Sequence, residues 1–178
     1  MYKIGLKAYK DLYDERYITL CLFANKYINN LEHSKDIVQE VFIKIWEDEV
    51  IFDSESNVKA YLYTSVKNKC LDVLKSKRYK STESISEIEL EKLESEPFFL
   101  REVAIFETHT IIEQAINTLP NKCAQIIMLS IKSLTNMEIA KELNISINTV
   151  KAQKKIAYKR LKPILKVHFL LIAYAFDI

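Results

Sequence analysis

One glycine and three prolines in 178 residues leave this chain few ways to fold. Gly5, Pro97, Pro120 and Pro163 are the whole supply. Tight β-hairpins and glycine-rich phosphate loops need more, because their turns hold backbone conformations that glycine adopts most freely. Leu, Ile, Lys and Glu dominate instead, and hydrophobic residues make up 49% of the chain. A buried core is therefore within reach, and the expected class is all-α.

Helical periodicity supports that class. Leu12, Tyr13, Tyr17, Leu20, Cys21, Ala24 and Tyr27 recur at three- and four-residue spacing, which is one helical face. Ile37, Val38, Val41, Phe42, Ile45 and Trp46 form a second stripe, opposite Asp36, Gln39, Glu40 and Lys44. The period breaks between Glu47 and Asn57, then resumes with Val58, Tyr61, Leu62, Ser65, Val66, Leu71 and Leu74. Pro97 precedes a further periodic run. Pro120 is expected to end that helix and begin the next, having no N–H to donate and a φ suited to a first turn.

The net charge of +2 hides an uneven distribution. Between Ser81 and Glu102, Glu83, Glu87, Glu89, Glu91, Glu94, Glu96 and Glu102 face only Lys92 and Arg101. Between Thr135 and Lys166, Lys141, Lys151, Lys154, Lys155, Lys159, Arg160, Lys162 and Lys166 face Glu138 and Glu142. An acidic stretch followed by a basic one reads as a solvated linker leading to a nucleic-acid-binding element. The expected organisation is a helical domain over 1–80, a linker over 81–102, a second domain over 103–166 and an apolar tail over 167–178. That tail is too short to span a membrane comfortably and is expected to pack against the second domain or a partner.

The basic segment holds the most specific local pattern. Thr135 followed by Glu138 forms a capping box that starts a helix at Asn136. Ile139, Ala140 and Leu143 supply its inner face, and Asn144 stands where a left-handed residue would turn the chain. Ser146 caps the next helix, whose buried face is expected at Val150, Ala157 and Leu161. This is a helix-turn-helix with a lysine-rich second helix, suited to the DNA major groove. Lys151, Ala152 and Lys155 are the candidates for base edges, and Ser146, Asn148, Thr149 and Lys154 for phosphates.

Three segments together resemble the extracytoplasmic-function (ECF) group of bacterial sigma factors in the sigma-70 family. Asp36 to Phe42 with Ile45-Trp46 is similar to the family's core-polymerase-binding helix. Val58 to Tyr63, continuing through Asn68 and Leu71-Asp72, is similar to its −10-recognition helix. Leu119-Pro120, Glu138-Ile139-Ala140 and Thr149-Val150-Lys151 are similar to its −35-reading domain, of sigma region 4 type and winged-helix-like. The resemblance implies contact with core RNA polymerase through Asp36, Gln39, Glu40 and Phe42. It implies contact with double-stranded and locally melted promoter DNA, the −10 element meeting Phe52, Lys59, Tyr61, Tyr63, Lys67 and Asn68. The loop Ile51–Asn57 is then the candidate pocket for a flipped base. An anti-sigma protein is a further implied partner.

The alternative is a LuxR-type regulator without a sigma role, which expects a sensory or receiver domain upstream. No nucleophile–base pair or phosphate loop is evident, so neither an enzyme nor a small-molecule substrate is expected. Cys21, Cys70 and Cys123 are far apart, as are the three histidines; no metal, cofactor or disulfide is expected. Reduced thiols and a charged N-terminus point to the cytoplasm.

Overall fold

The computed structural model describes residues 2–3, 5–48, 51–52, 55–80 and 86–176. The chain forms two units, Met1–Phe106 and Glu107–Ile178. Glu83 and Ile85 with the rest of 81–85, the middle of the Ile51–Asn57 loop (53–54) and the last two residues of the tail lie outside the described residues.

The first unit is built on three helices, α1 (Leu6–Ile28), α2 (Leu31–Glu47) and α3 (Glu55–Lys80), each packed on the other two. Two-residue strands β1 (Tyr2–Lys3) and β2 (Ile51–Phe52) pair antiparallel, Tyr2 opposite Phe52. The chain reverses between α1 and α2 in two residues. Asn29 takes the left-handed conformation at φ 50°, and the Asn30 side chain then accepts from the His33 N–H at 3.0 Å. An asparagine does here what glycine does elsewhere, because its short polar side chain lowers the cost of that backbone.

The core contains most of the expected stripes. Leu20, Ala24, Val38, Val41, Leu62 and Val66 are buried. At its centre stands Phe23, fully buried, whose ring meets the edges or tilted faces of Tyr27, Tyr63, Phe99 and Phe106 at centroid distances of 5.4, 5.0, 6.2 and 5.9 Å. Edge-to-face aromatic packing of this kind adds about 0.5–1.5 kcal/mol per pair beyond area burial. Trp46 departs from expectation: it stands at the border of the α2 stripe and is about half exposed, tilted against Tyr9.

The acidic segment is not the solvated linker its composition predicts. Residues Glu87–Glu94 form α4, capped by Ser86, and α5 runs from Glu96 to Asn117 with Pro97 in its first turn. Leu90, Leu93 and Phe106 are buried in the first unit's core, with Phe98 and Phe99 packed against it. Apolar side chains spaced along a polar helix suffice to bind it to a core even when glutamates fill the other face.

The second unit contains the end of α5, then α6 (Asn121–Ile131), α7 (Asn136–Glu142), α8 (Ile147–Val167) and α9 (Phe169–Phe176). Pro120 is the N-cap residue of α6, one position ahead of its first turn. One apolar cluster joins Ala115, Ile116, Leu119, Cys123, Ile127, Ala157 and Leu161, and another joins Ile126, Ile139, Ala140 and Val150. Its described residues hold no strand, so the helix-turn-helix carries no β wing. In α9 Ala175 is buried while Phe169, Leu170 and Tyr174 are exposed. No helix among the described residues is long and apolar enough to cross a membrane.

All three cysteines are free and buried. Burial pushes the Cys70 thiol up to about 12 and also raises Cys21. Thiolate is the reactive form, so the native protein is expected to leave its thiols unmodified by a disulfide reagent at neutral pH. Addition of denaturant is expected to release all three, read as absorbance of the liberated chromophore. Rapid reaction of the native state would contradict this packing.

Candidate nucleic-acid interface

Two closures of one kind place α7 and α8. At the end of α6, Ser133 is left-handed at φ 66°, its N–H donates to the Ser130 carbonyl at 2.9 Å, and the Leu134 N–H donates to the Leu129 carbonyl at 3.2 Å. At the end of α7, Asn144 is left-handed at φ 51°, its N–H donates to Lys141 at 3.3 Å, and the Ile145 N–H donates to Ala140 at 2.9 Å. Both are Schellman motifs, in which the last free carbonyls of a helix are satisfied by the residues that leave it. Leu134 and Ile145 then pack against the cluster around Ile139 and Val150, the apolar contact that accompanies such a motif.

The start of α7 is fixed just as tightly. Thr135 Oγ1 accepts from the Glu138 N–H at 3.3 Å, and the Thr135 N–H and Oγ1 both donate to Glu138 Oε2 at 2.7 Å. These bonds stabilise the carboxylate and hold Glu138 below the ordinary value of 4.5. At the start of α8, Ser146 Oγ accepts from the Thr149 N–H at 3.0 Å and lies 2.8 Å from Thr149 Oγ1. No acidic residue occupies the first turn of α8, so no carboxylate of that turn offsets the positive end of its dipole.

The buried line of α8 is Val150, Ala157 and Leu161, as the periodicity predicts. Gln153 also faces inward, accepting from the Cys123 thiol at 2.9 Å. Asn148, Lys151, Ala152 and Lys155 are exposed and follow i, i+3, i+4, i+7, so they share one outward face. Lys154 and Thr149 are half-buried beside it, and Ser146 is exposed at its tip. The structure thus gathers the expected residues of this unit on one surface.

The first unit divides its candidates differently. On α2, Asp36, Gln39 and Glu40 are exposed. Gln39 Nε2 donates to the Tyr17 hydroxyl at 3.2 Å and Glu40 pairs with Lys69 of α3. Phe42, expected on a binding surface, is a correction: it is 1% exposed, enclosed by the rings of Tyr9 and Tyr13. On α3, Lys59, Tyr61 and Lys67 are half-buried and Asn68 is exposed. Phe52 and Tyr63 are corrections too. Phe52 is buried and meets Tyr61 edge to face at 5.4 Å, and Tyr63 is buried against Phe23, so neither ring has a free face for stacking on a base.

Some surface features carry no motif. Ile43 and Trp46 extend the exposed face of α2 with apolar area. In the second unit a groove of about 820 Å³ is lined by Ile112, Ile116, Met128 and Leu143, with Glu113 and Glu142 also on its wall. An excess of apolar residues on α5 and α6 beyond what one buried stripe needs is the sequence signal that could have located it.

The comparisons with known proteins fall on these same elements. Residues 12–79 match the model of sigma-70 region 2, and residues 109–161 match that of sigma-70 region 4. Together these two stretches take in more than half of the chain, which belongs to the sigma-70 family. It is 26% identical over 155 residues to the ECF RNA polymerase sigma factor SigL of Mycobacterium tuberculosis, covering 86% of each chain. It is 28% identical over 151 residues to the ECF RNA polymerase sigma factor SigW of Bacillus subtilis, covering 80% of this chain and 79% of that one. Members of this family act in promoter recognition and transcription initiation, and that is the function of this sigma factor. The region 2 match also lies where a LuxR-type regulator would carry its sensory domain.

The capping box offers a direct check. Thr135→Ala is expected to lower unfolding stability by about 1 kcal/mol at neutral pH, the usual cost of losing a helix cap, measured by urea titration. Glu138 is lowered in the folded state, so its contribution is present above the unfolded value and lost as pH falls through the folded one. The gap between wild type and variant is therefore expected to narrow in acid below the ordinary 4.5. A gap independent of pH would remove Glu138 from the account.

Proposed function

We propose that this sigma factor grips its promoter at two places with residues that can be named. The −35 element is read by the exposed face of α8. Lys151, Ala152 and Lys155 meet base edges in the major groove, and Ser146, Asn148, Thr149 and Lys154 meet phosphates. The observation that carries this is the single face of Asn148, Lys151, Ala152 and Lys155, raised on a helix whose first turn is capped and lacks acid.

The −10 element is met by α3 through Lys59, Tyr61, Lys67 and Asn68. Burial of Phe52 and Tyr63 leaves Tyr61 as the ring available for a melted base and makes Phe52 its support. Core polymerase meets Asp36, Gln39 and Glu40 on α2, with exposed Ile43 and Trp46 supplying the apolar part of that contact. The chain performs no catalysis of its own and works in the cytoplasm. The groove beside α5 and α6 suits an apolar segment of a protein partner, and an anti-sigma factor is the partner proposed for it.

Run-off transcription on random promoter fragments, with core polymerase alone and with this chain added, tests the reading. Chain-dependent transcripts are expected; active core yielding none would overturn it. Lys151→Ala is expected to weaken binding to a selected promoter by about 1–3 kcal/mol while affinity for scrambled DNA changes little. Equal losses on both would assign Lys151 to a phosphate instead. Affinity is also expected to fall steeply with salt, with a slope reflecting about five phosphate contacts.

A further inference from the structure

The acidic segment lies on the helix proposed to receive melted DNA. Within the first unit, α4 packs on α3, and Leu90 and Leu93 enter the core. The first turns of α5 follow: Phe98 meets Tyr27 edge to face at 5.5 Å, and Phe99 meets Phe23 at 6.2 Å. At the rim of this contact two cations of α3 are taken. Lys75 Nζ lies 2.8 Å from Glu94 Oε1, and Lys67 Nζ stands 4.7 Å from the centroid of the Phe99 ring. A carboxylate and a ring face are what single-stranded DNA would offer those same lysines as phosphate and base.

The cover is also imperfect beneath. Glu102 of α5 is 9% exposed, and its Oε2 atom is buried with no hydrogen-bond partner. The Tyr27 hydroxyl is likewise buried and unpartnered. Burial raises the Tyr27 hydroxyl strongly, and the neighbouring Cys70 and Glu102 raise it further. Unpaired buried polar atoms cost free energy that lifting the segment into water would return. Apolar contacts hold the segment down.

We propose that α4 and the first turns of α5 are an internal competitor for DNA: an acidic strap that holds Lys67 and Lys75 in the free protein and must leave α3 before these lysines reach the melted −10 strand. Glu94 then does more than keep the segment soluble, since its carboxylate stands in for a backbone phosphate at Lys75. This deepens the assignment of α3 to DNA and rests on it.

The test uses the full chain and a fluorescently labelled, mixed-sequence single-stranded oligonucleotide, with affinity read by anisotropy. Glu94→Gln is expected to tighten binding about two- to five-fold, the scale of one released surface ion pair. The charge-matched Glu89→Gln, at an exposed position, is expected to change it less. In a Lys75→Gln background the gain from Glu94→Gln is expected to vanish, because the lysine it frees is gone. Lys67→Gln and Lys75→Gln alone are expected to weaken binding. If they do so while Glu94→Gln has no effect, the strap is overturned and the DNA role of α3 stands. If neither lysine matters, both fall. A gain from Glu94→Gln that persists without Lys75 shows only general charge repulsion and also overturns the strap.

Discussion

Three tight corners between helices of this molecule rest on a left-handed residue that is not glycine. Asn29 turns α1 into α2, Ser133 turns α6 toward α7, and Asn144 turns α7 into α8. For an L-residue that conformation costs on the order of 1–2 kcal/mol, less for asparagine. Ser133 and Asn144 recover it through paired Schellman hydrogen bonds and the burial of the apolar residue that follows each one. Backbone, caps and core are thus coupled: loosening the packing of Ile145 on Ile139 and Val150 would weaken the corner that sets the angle of α8. The face that α8 presents to DNA depends on that angle.

The same economy explains why the helix-turn-helix was legible from sequence. Its determinants are local. A threonine three residues before a glutamate, an asparagine between two helices and a serine before the second are each read within one turn of chain. Their hydrogen bonds in the structure follow the expected pattern. The spacing of Val150, Ala157 and Leu161 then leaves the lysine face outward by geometry alone.

The first unit was legible as helices but not as a division between core and surface. An aromatic residue on a helix or strand has the same local pattern whether it packs inward or waits for a base. The resemblance makes Phe42, Phe52 and Tyr63 contacts, whereas the structure buries all three, Phe42 within the stripe its spacing predicts. Trp46 belongs to the same stripe yet is half exposed, while Phe23, at the centre of the unit, has no motif to mark it. What decides these positions is the neighbouring helix, which is separated by tens of residues in sequence. The acidic linker failed for a related reason. Glutamates dominate its composition, yet Leu90, Leu93, Phe98 and Phe99 dominate its energetics, and their partners on α1 and α3 are remote in the chain.

These contrasts bear on how the two surfaces proposed to meet DNA differ physically. The α8 face is complete as it stands: its lysines point outward, its cap is formed, and double-stranded DNA asks little rearrangement of it. The α3 face is partly occupied by the protein's own acidic and aromatic groups, and its best-placed ring, Tyr61, is half-buried against Phe52. A surface of the first kind binds in one step, with affinity set by the contacts it makes. A surface of the second kind binds only after other contacts are given up, so its apparent affinity is reduced by the fraction of molecules in which it is covered. Melted DNA is itself a costly state, since each unstacked base must be compensated by the protein that holds it. A covered α3 would withhold that compensation from chance single strands, whereas the α8 face proposed to read duplex DNA stands exposed.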